Sequence, residues 1–301
     1  MKFKTLVASL AAVGLLAVAV GPAHAVVKYR FQDDNIDFVY DPATDALKTT
    51  GMLAVGDVLV SVFEIDSFTK NLVNGIPPGQ ELTGVAAIQI KSIDGAMYAF
   101  GAYAGGVEAF VPAGRTDAAK PYAGTSAVGM WFNGTGGVGG DKNLILDAAL
   151  LPATNCTSLA DCTDQASLGT LFQLDGFGLD PDEFWGAVSF PGGGSIDTVK
   201  AASESVPFAF FNGLISNFYQ LDAVVEFQNL IGGYCPGGSY AADGCGQVQF
   251  SGNILGGAGL TNGAIAHSDL DGSKYVVPEP GSLALLGLGL VGLFGMRRRQ
   301  A

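Results

Sequence analysis

Alternation of apolar and polar residues sets the firmest limit on what this chain can fold into. From Tyr219 to Gln228 one face collects Tyr219, Leu221, Ala223, Val225 and Phe227, while Gln220, Asp222, Glu226 and Gln228 take the other, with Val224 alone out of pattern. A period of two places successive side chains on opposite faces of an extended chain, so this stretch reads as a half-exposed strand. The same pattern runs from Leu82 to Ile90 and again from Gln247 to Ser251, whereas Val58 to Ile65 is apolar on both faces, as in a central strand. Ile36, Phe38 and Tyr40 alternate with Asp37 and Val39. The run Asp41-Pro42-Ala43-Thr44-Asp45 then turns the chain into Ala46 to Thr50, which predicts a β-hairpin.

Helix signals are few. Asp180-Pro181-Asp182-Glu183 offers a capping side chain, a first-turn proline and two acids, which predicts a short helix through Phe184 and Trp185. The 44 glycines among 301 residues penalise long helices, and those at 134–140, 192–194 and 256–259 read as loops between strands. No fixed-period repeat stands out. The expected class is mainly β: an antiparallel β-sandwich, jelly-roll-like, with long Gly-rich loops and a few short helices. A signal helix at the N-terminus and a transmembrane helix at the C-terminus complete that expectation.

Lys2 and Lys4, the apolar run Leu6 to Val20, and Ala23-His24-Ala25 have the three parts of a secretory signal peptide, with cleavage after Ala25 and a mature chain beginning at Val26. At the other end Val277-Pro278-Glu279-Pro280 precedes an apolar stretch from Gly281 to Met296, followed by Arg297, Arg298 and Arg299. At 1.5 Å per residue that stretch reaches about 24 Å, short of a hydrocarbon core of about 30 Å, so it is a marginal anchor. The arginines favour the cytoplasmic side, which places residues 26 to about 276 on the exported side. The division expected is 1–25 signal peptide, 26–276 exported β-rich domain and 277–301 sorting segment.

The order Val-Pro-Glu-Pro, a Leu/Gly-rich apolar segment and a terminal arginine run resembles the PEP-CTERM sorting signal of Gram-negative bacteria. The resemblance implies recognition by an exosortase through Pro278, Glu279 and Pro280, with removal of the apolar tail near that motif and the scissile bond left open. It implies transient residence in the inner membrane, then a cell-surface or matrix destination in a host that makes exopolysaccharide. It covers about the last 25 residues and implies nothing about the fold of the rest. Plain anchoring by an uncut tail is the rival reading.

With Lys2, Lys4, Glu279 and the three arginines set aside, 10 basic and 27 acidic residues remain, a balance near −17. Such a surface disfavours nucleic acid and attracts cations. Cys156, Cys162, Cys235 and Cys245 all lie on the exported side, where an even number suggests two disulfides. Proximity favours Cys156 with Cys162 and Cys235 with Cys245, although three pairings are allowed. Neither spacing is that of a zinc site.

His267 is the one histidine of the expected mature chain, so a two-histidine zinc protease is excluded and a Ser/His/Asp triad has a single candidate base. Next to Ser268, Asp269 and Asp271 it reads as a solvated loop residue. Asp175, Asp180 and Asp182, together with Asp269-Leu270-Asp271-Gly272-Ser273, are weak calcium candidates, since neither group has the full spacing of a calcium loop. Asp182 and Glu183 beside Phe184 and Trp185 superficially offer a glycosidase's paired acids and aromatic platform. No catalytic residue, firm metal ligand or cofactor is assigned.

The leading expectation is therefore a non-enzymatic exported surface or matrix protein, handled by signal peptidase and exosortase and associated with exopolysaccharide in a biofilm or floc. Two others remain: a lectin-like glycan-binding module, calcium-dependent or not, and a carboxylate-based glycoside hydrolase.

Overall fold

The computed structural model describes residues 26–70, 73–74, 81–115, 127–134, 144–146, 154–176, 184–188, 193–202, 208–209, 219–224 and 245–276. Thirteen strands are found among them: β1 (Val26–Asp41), β2 (Ala46–Leu47), β3 (Val58–Lys70), β4 (Val73–Asn74), β5 (Glu81–Asp94), β6 (Met97–Ala102), β7 (Ala127–Gly134), β8 (Thr170–Gly176), β9 (Phe184–Val188), β10 (Phe208–Ala209), β11 (Tyr219–Val224), β12 (Cys245–Gly256) and β13 (Ala266–Val276). Helices α1 (Leu159–Ala166) and α2 (Ile196–Ala201) are both short.

The strands form one sheet that closes on itself. Its ladder runs β12-β13-β1-β3-β5-β6-β9-β11 and returns to β12, because β11 pairs with β12 from Gln220↔Gln249 to Val224↔Cys245. Spatial order follows chain order, so this is an up-and-down antiparallel barrel whose first and last long strands are neighbours. Two positions are shared between paired short strands. The edge of β5 facing away from β3 pairs with β7 along Glu81–Ala86 and with β6 along Ile88–Asp94. Farther round, β11 pairs with both β8 and β9.

Each strand of the β1-β3-β5-β7 wall is buried on both faces. The inner face presents Phe31, Val39, Phe63, Ile65, Ile88 and Trp131 to one core. The outer face presents Ile36, Phe38, Val60, Val62, Val85 and Phe132 to a second core, completed by α1 and by segments 107–111, 144–146 and 260–264. That two-sided burial is why Val58 to Ile65 carries no polar stripe. Close packing also uses glycine in the strands: a side chain at Gly272 would collide with the Phe31 ring, and one at Gly84 with the Phe63 ring and the Met130 carbonyl.

Helix α2 plugs one mouth of the barrel. Ser195 caps it by accepting from the Thr198 N–H, and Ile196 N and Leu53 N exchange bonds with Gly51 O and Gly194 O, each 2.8 Å. At the same end the expected hairpin forms, with Tyr40↔Leu47 and Asp41↔Ala46 paired. Asp41 closes its turn by accepting from Ala43 N at 2.9 Å and from Thr44 Oγ1 at 3.0 Å, which holds its carboxyl below the ordinary carboxylate range. Lys48 Nζ and Ala54 N both donate to the buried Asp57 Oδ2 at 2.8 Å.

Several expectations are corrected. The sandwich is replaced by a barrel, because alternation identifies strands but leaves open whether the last edge meets the first. Trp185 lies in a strand: Phe100↔Trp185 and Tyr219↔Trp185 pairing on both sides overrides the helix-start signal upstream, and Asp180, Asp182 and Glu183 themselves lie outside the described residues. The expected membrane-spanning tail is corrected as well. No helix among the described residues is long and apolar enough to cross a membrane, and the sixteen apolar positions after Pro280 are short for that task. Residues 1–25 and 277–301, with the expected signal helix, Ala23, Ala25, Pro278 and Arg297 to Arg299, lie outside the described residues.

The first expected disulfide is present, joining Cys156 to Cys162 across the start of α1. Asn262 docks on it, donating through Nδ2 to Cys156 O at 3.3 Å while its Oδ1 accepts from Ala264 N at 3.1 Å. Cys235, the expected partner of Cys245, lies outside the described residues.

Candidate functional site in the barrel interior

Inside the barrel is a cavity of about 70 Å³. Its aromatic wall is Phe31, Phe63, Trp131 and Trp185, and its carboxyl groups are Asp33, Asp37 and Asp175. Phe31 and Phe63 both meet Trp131 edge to face, with ring centroids 4.8 and 5.1 Å away. Val199 of α2 reaches the cavity from the plugged mouth.

Strand parity places the acids. On β1, Phe31, Asp33, Asp37 and Val39 point inward with unbroken parity, the extra residue of the bulge between Gln32 and Asp33 being Asp66 on β3. Asp37 stands opposite Ser61 of β3, which also lines the cavity. On β13, Ala266, Ser268 and Leu270 point inward.

The three acids are held differently. Asp33 Oδ1 accepts from Leu270 N at 3.0 Å and Asn35 Nδ2 at 3.1 Å, yet burial keeps its carboxyl well above the ordinary carboxylate range. Asp175 Oδ2 accepts from the Trp131 indole at 2.6 Å, and Gly129 leaves room for that carboxyl. Burial pushes Asp37 up to about 6, and the nearby Ser268 and Ser61 hydroxyls draw it back only part of the way.

The residues expected to carry function are distributed otherwise. Asp175 faces the cavity from β8, while Asp269 and Asp271 are exposed on the outer face of β13 in regular strand rather than in an oxygen-rich loop. Burial, then the charges of Asp271 and Asp66, raise the Asp269 carboxyl. No group of three metal-binding side chains gathers among the described residues. His267 is buried in β13, not solvated, because Ala266 and Ser268 flank it inside a strand covered by an outer layer. In the sequence Asp37 and Val39 alternate with Ile36, Phe38 and Tyr40; only the apolar outer layer over Ile36 and Phe38 shows that the parity of Asp37 is the interior one.

Comparison with known proteins bears on the end of the chain. Residues 276–299 match the PEP-CTERM protein-sorting motif. The match identifies an exported protein carrying an exosortase recognition motif, with a cell-surface or extracellular destination. No curated protein matches the chain. No solved structure matches it.

Proposed function

We propose that the barrel is the mature, non-enzymatic body of a surface or matrix protein that exosortase delivers to the host's exopolysaccharide. The observation that carries this reading is where the fold meets the motif: β13 ends at Val276, and the matched sorting motif spans 276–299. Cleavage near Pro278-Glu279-Pro280 removes no residue of the barrel wall before Val276. β1 likewise begins at Val26, the first residue after the expected signal cleavage.

Contact with a polymer belongs on the outside in this reading. A cavity of about 70 Å³ holds a few water molecules, far less than a polysaccharide chain requires, and its acids sit behind the barrel wall. That weighs against a glycoside hydrolase working through Asp33, Asp37 or Asp175. The test compares intact mass and terminal peptides of the protein from cells, medium and matrix, in hosts with and without exosortase, with floc cohesion after deletion. A chain from Val26 to near Pro280 that co-purifies with polysaccharide supports the reading. A chain retaining Arg297 to Ala301 in both hosts overturns it, chelator-sensitive glycan binding replaces it with a lectin, and shortening of the polysaccharide replaces it with a hydrolase.

A further inference from the structure

We propose that Asn262-Gly263 is a latent deamidation site, held shut by the Cys156–Cys162 disulfide and opened when that bridge is reduced. An Asn-Gly step is prone to close into a succinimide, because glycine has no Cβ to keep its nitrogen away from the preceding side chain. The chain has four such steps, at Asn74, Asn133, Asn212 and Asn262. The carboxamide of Asn262 rests on the disulfide itself, with Nδ2 3.8 Å from Cys156 Sγ and 3.7 Å from Cys162 Sγ.

In the folded chain that carboxamide is fixed at both ends. Nδ2 donates to Cys156 O at 3.3 Å, Oδ1 accepts from Ala264 N at 3.1 Å, and the residue is buried, away from the base and water that ring closure and opening need. The bridge sets the first of those anchors. Cys162 belongs to α1, where its N–H donates to Ser158 O at 2.8 Å, and the disulfide ties Cys156, which precedes the helix, to it. Two thiols need more room than one bridge, and a close-packed interior has little to spare, so reduction drives the sulfurs apart beneath the amide and draws Cys156 O away from Nδ2. The freed side chain then meets the Gly263 nitrogen. That nitrogen gives its proton to hydroxide and attacks Cγ, the Cγ–Nδ2 bond breaks, and ammonia leaves with a proton from water. Water opens the ring at either carbonyl, giving aspartate or isoaspartate. Either product puts a carboxylate where a buried amide had donated to Cys156 O, so the turn does not redock when the sulfurs reoxidise. An oxidising compartment keeps the bridge made, and deamidation at 262 therefore marks chains that spent time without it.

The test incubates the exported protein at pH 8, oxidised and in dithiothreitol, and maps its peptides by mass spectrometry. Isoaspartate at 262 is expected to form at least tenfold faster in the reduced protein. Reductant also opens the expected Cys235–Cys245 bond, so a double variant, Cys156→Ser with Cys162→Ser, repeats the comparison without reductant and is expected to match the reduced protein. Asn133-Gly134 is the control for general unfolding, since Asn133 is paired with Leu82 on β5 and with Thr170 on β8. It is expected to stay intact throughout. Equal rates at 262 with and without the bridge, an intact Asn262 in the reduced protein, aspartate there without isoaspartate, or conversion at 262 only in step with 133 each overturns the proposal.

Discussion

The indole Nε1 of Trp131 donates to Asp175 Oδ2 across 2.6 Å, joining β7 to β8 inside the barrel wall. Both residues are buried, and the donor belongs to the ring that also packs Phe31 and Phe63.

Replacing Trp131 by Phe keeps a ring but takes a donor from a buried carboxylate. The expected cost is about 2–3 kcal/mol in urea unfolding. Asp175→Asn in the same chain should recover part of it, since an amide tolerates the loss better than a carboxylate. Additive losses in the two single and one double variant would show that the pair is not coupled.

Gly272→Ala and Gly84→Ala should each destabilise by about 1–3 kcal/mol or more through overpacking. Their rescue differs. At Gly272 the three nearest atoms all belong to the Phe31 ring, so Phe31→Leu should relieve the clash. At Gly84 the Met130 carbonyl oxygen stands in the way beside the Phe63 ring, so Phe63→Leu should leave most of the loss. Thermal midpoints of the four single and two double variants decide it.

Stability should fall as pH rises from about 4 to about 8. Burial raises Asp37 from its ordinary range to about 6 and Glu64 to about 8, and raises Asp33 as well. The folded state then holds more protons than the unfolded one across that window, so the contribution is complete below the ordinary carboxylate range and is lost as pH passes the raised values. For Asp37 alone the change is on the order of a few kcal/mol. Glu64→Gln, which keeps an acceptor for the Leu146 N–H, should flatten the decline between pH 6 and 8. A thermal midpoint that climbs with pH over this range would contradict the assignment.

Reducing the Cys156–Cys162 disulfide, which closes a loop with a sequence separation of 6, should cost about 2 kcal/mol by chain entropy. Amide exchange should quicken first around α1 and the Asn262 turn that docks on the bridge. An unchanged pattern after reduction would mean that the outer layer holds without it.

Strands were legible wherever one face is polar or both are apolar. Leu82–Ile90 falls within β5, and the Asp41–Asp45 turn forms where its residue types place it. Closure was not legible, because β1 meets β13 through residues more than two hundred positions apart and no local pattern encodes that pairing. The site was hidden for a related reason. Asp33 and Asp37 look like surface residues until the apolar residues between them are seen to be covered from outside. Asp269 to Ser273 read as a loop from composition, yet Gly272 is there because the Phe31 ring occupies the place of a side chain. The capping signal before Phe184 lost to pairing on both edges of β9, a tertiary effect that outweighs a local one.

The neighbourhood of β1 and β13 also sets an order on folding. The first strand has to wait for the last, so its edge stays open until residues more than two hundred positions later are in place. The wall is sealed only when Val276 arrives, and the sorting motif begins at that same residue. A chain ending before Val276 would lack the end of β13 and leave part of the facing edge of β1 unpaired.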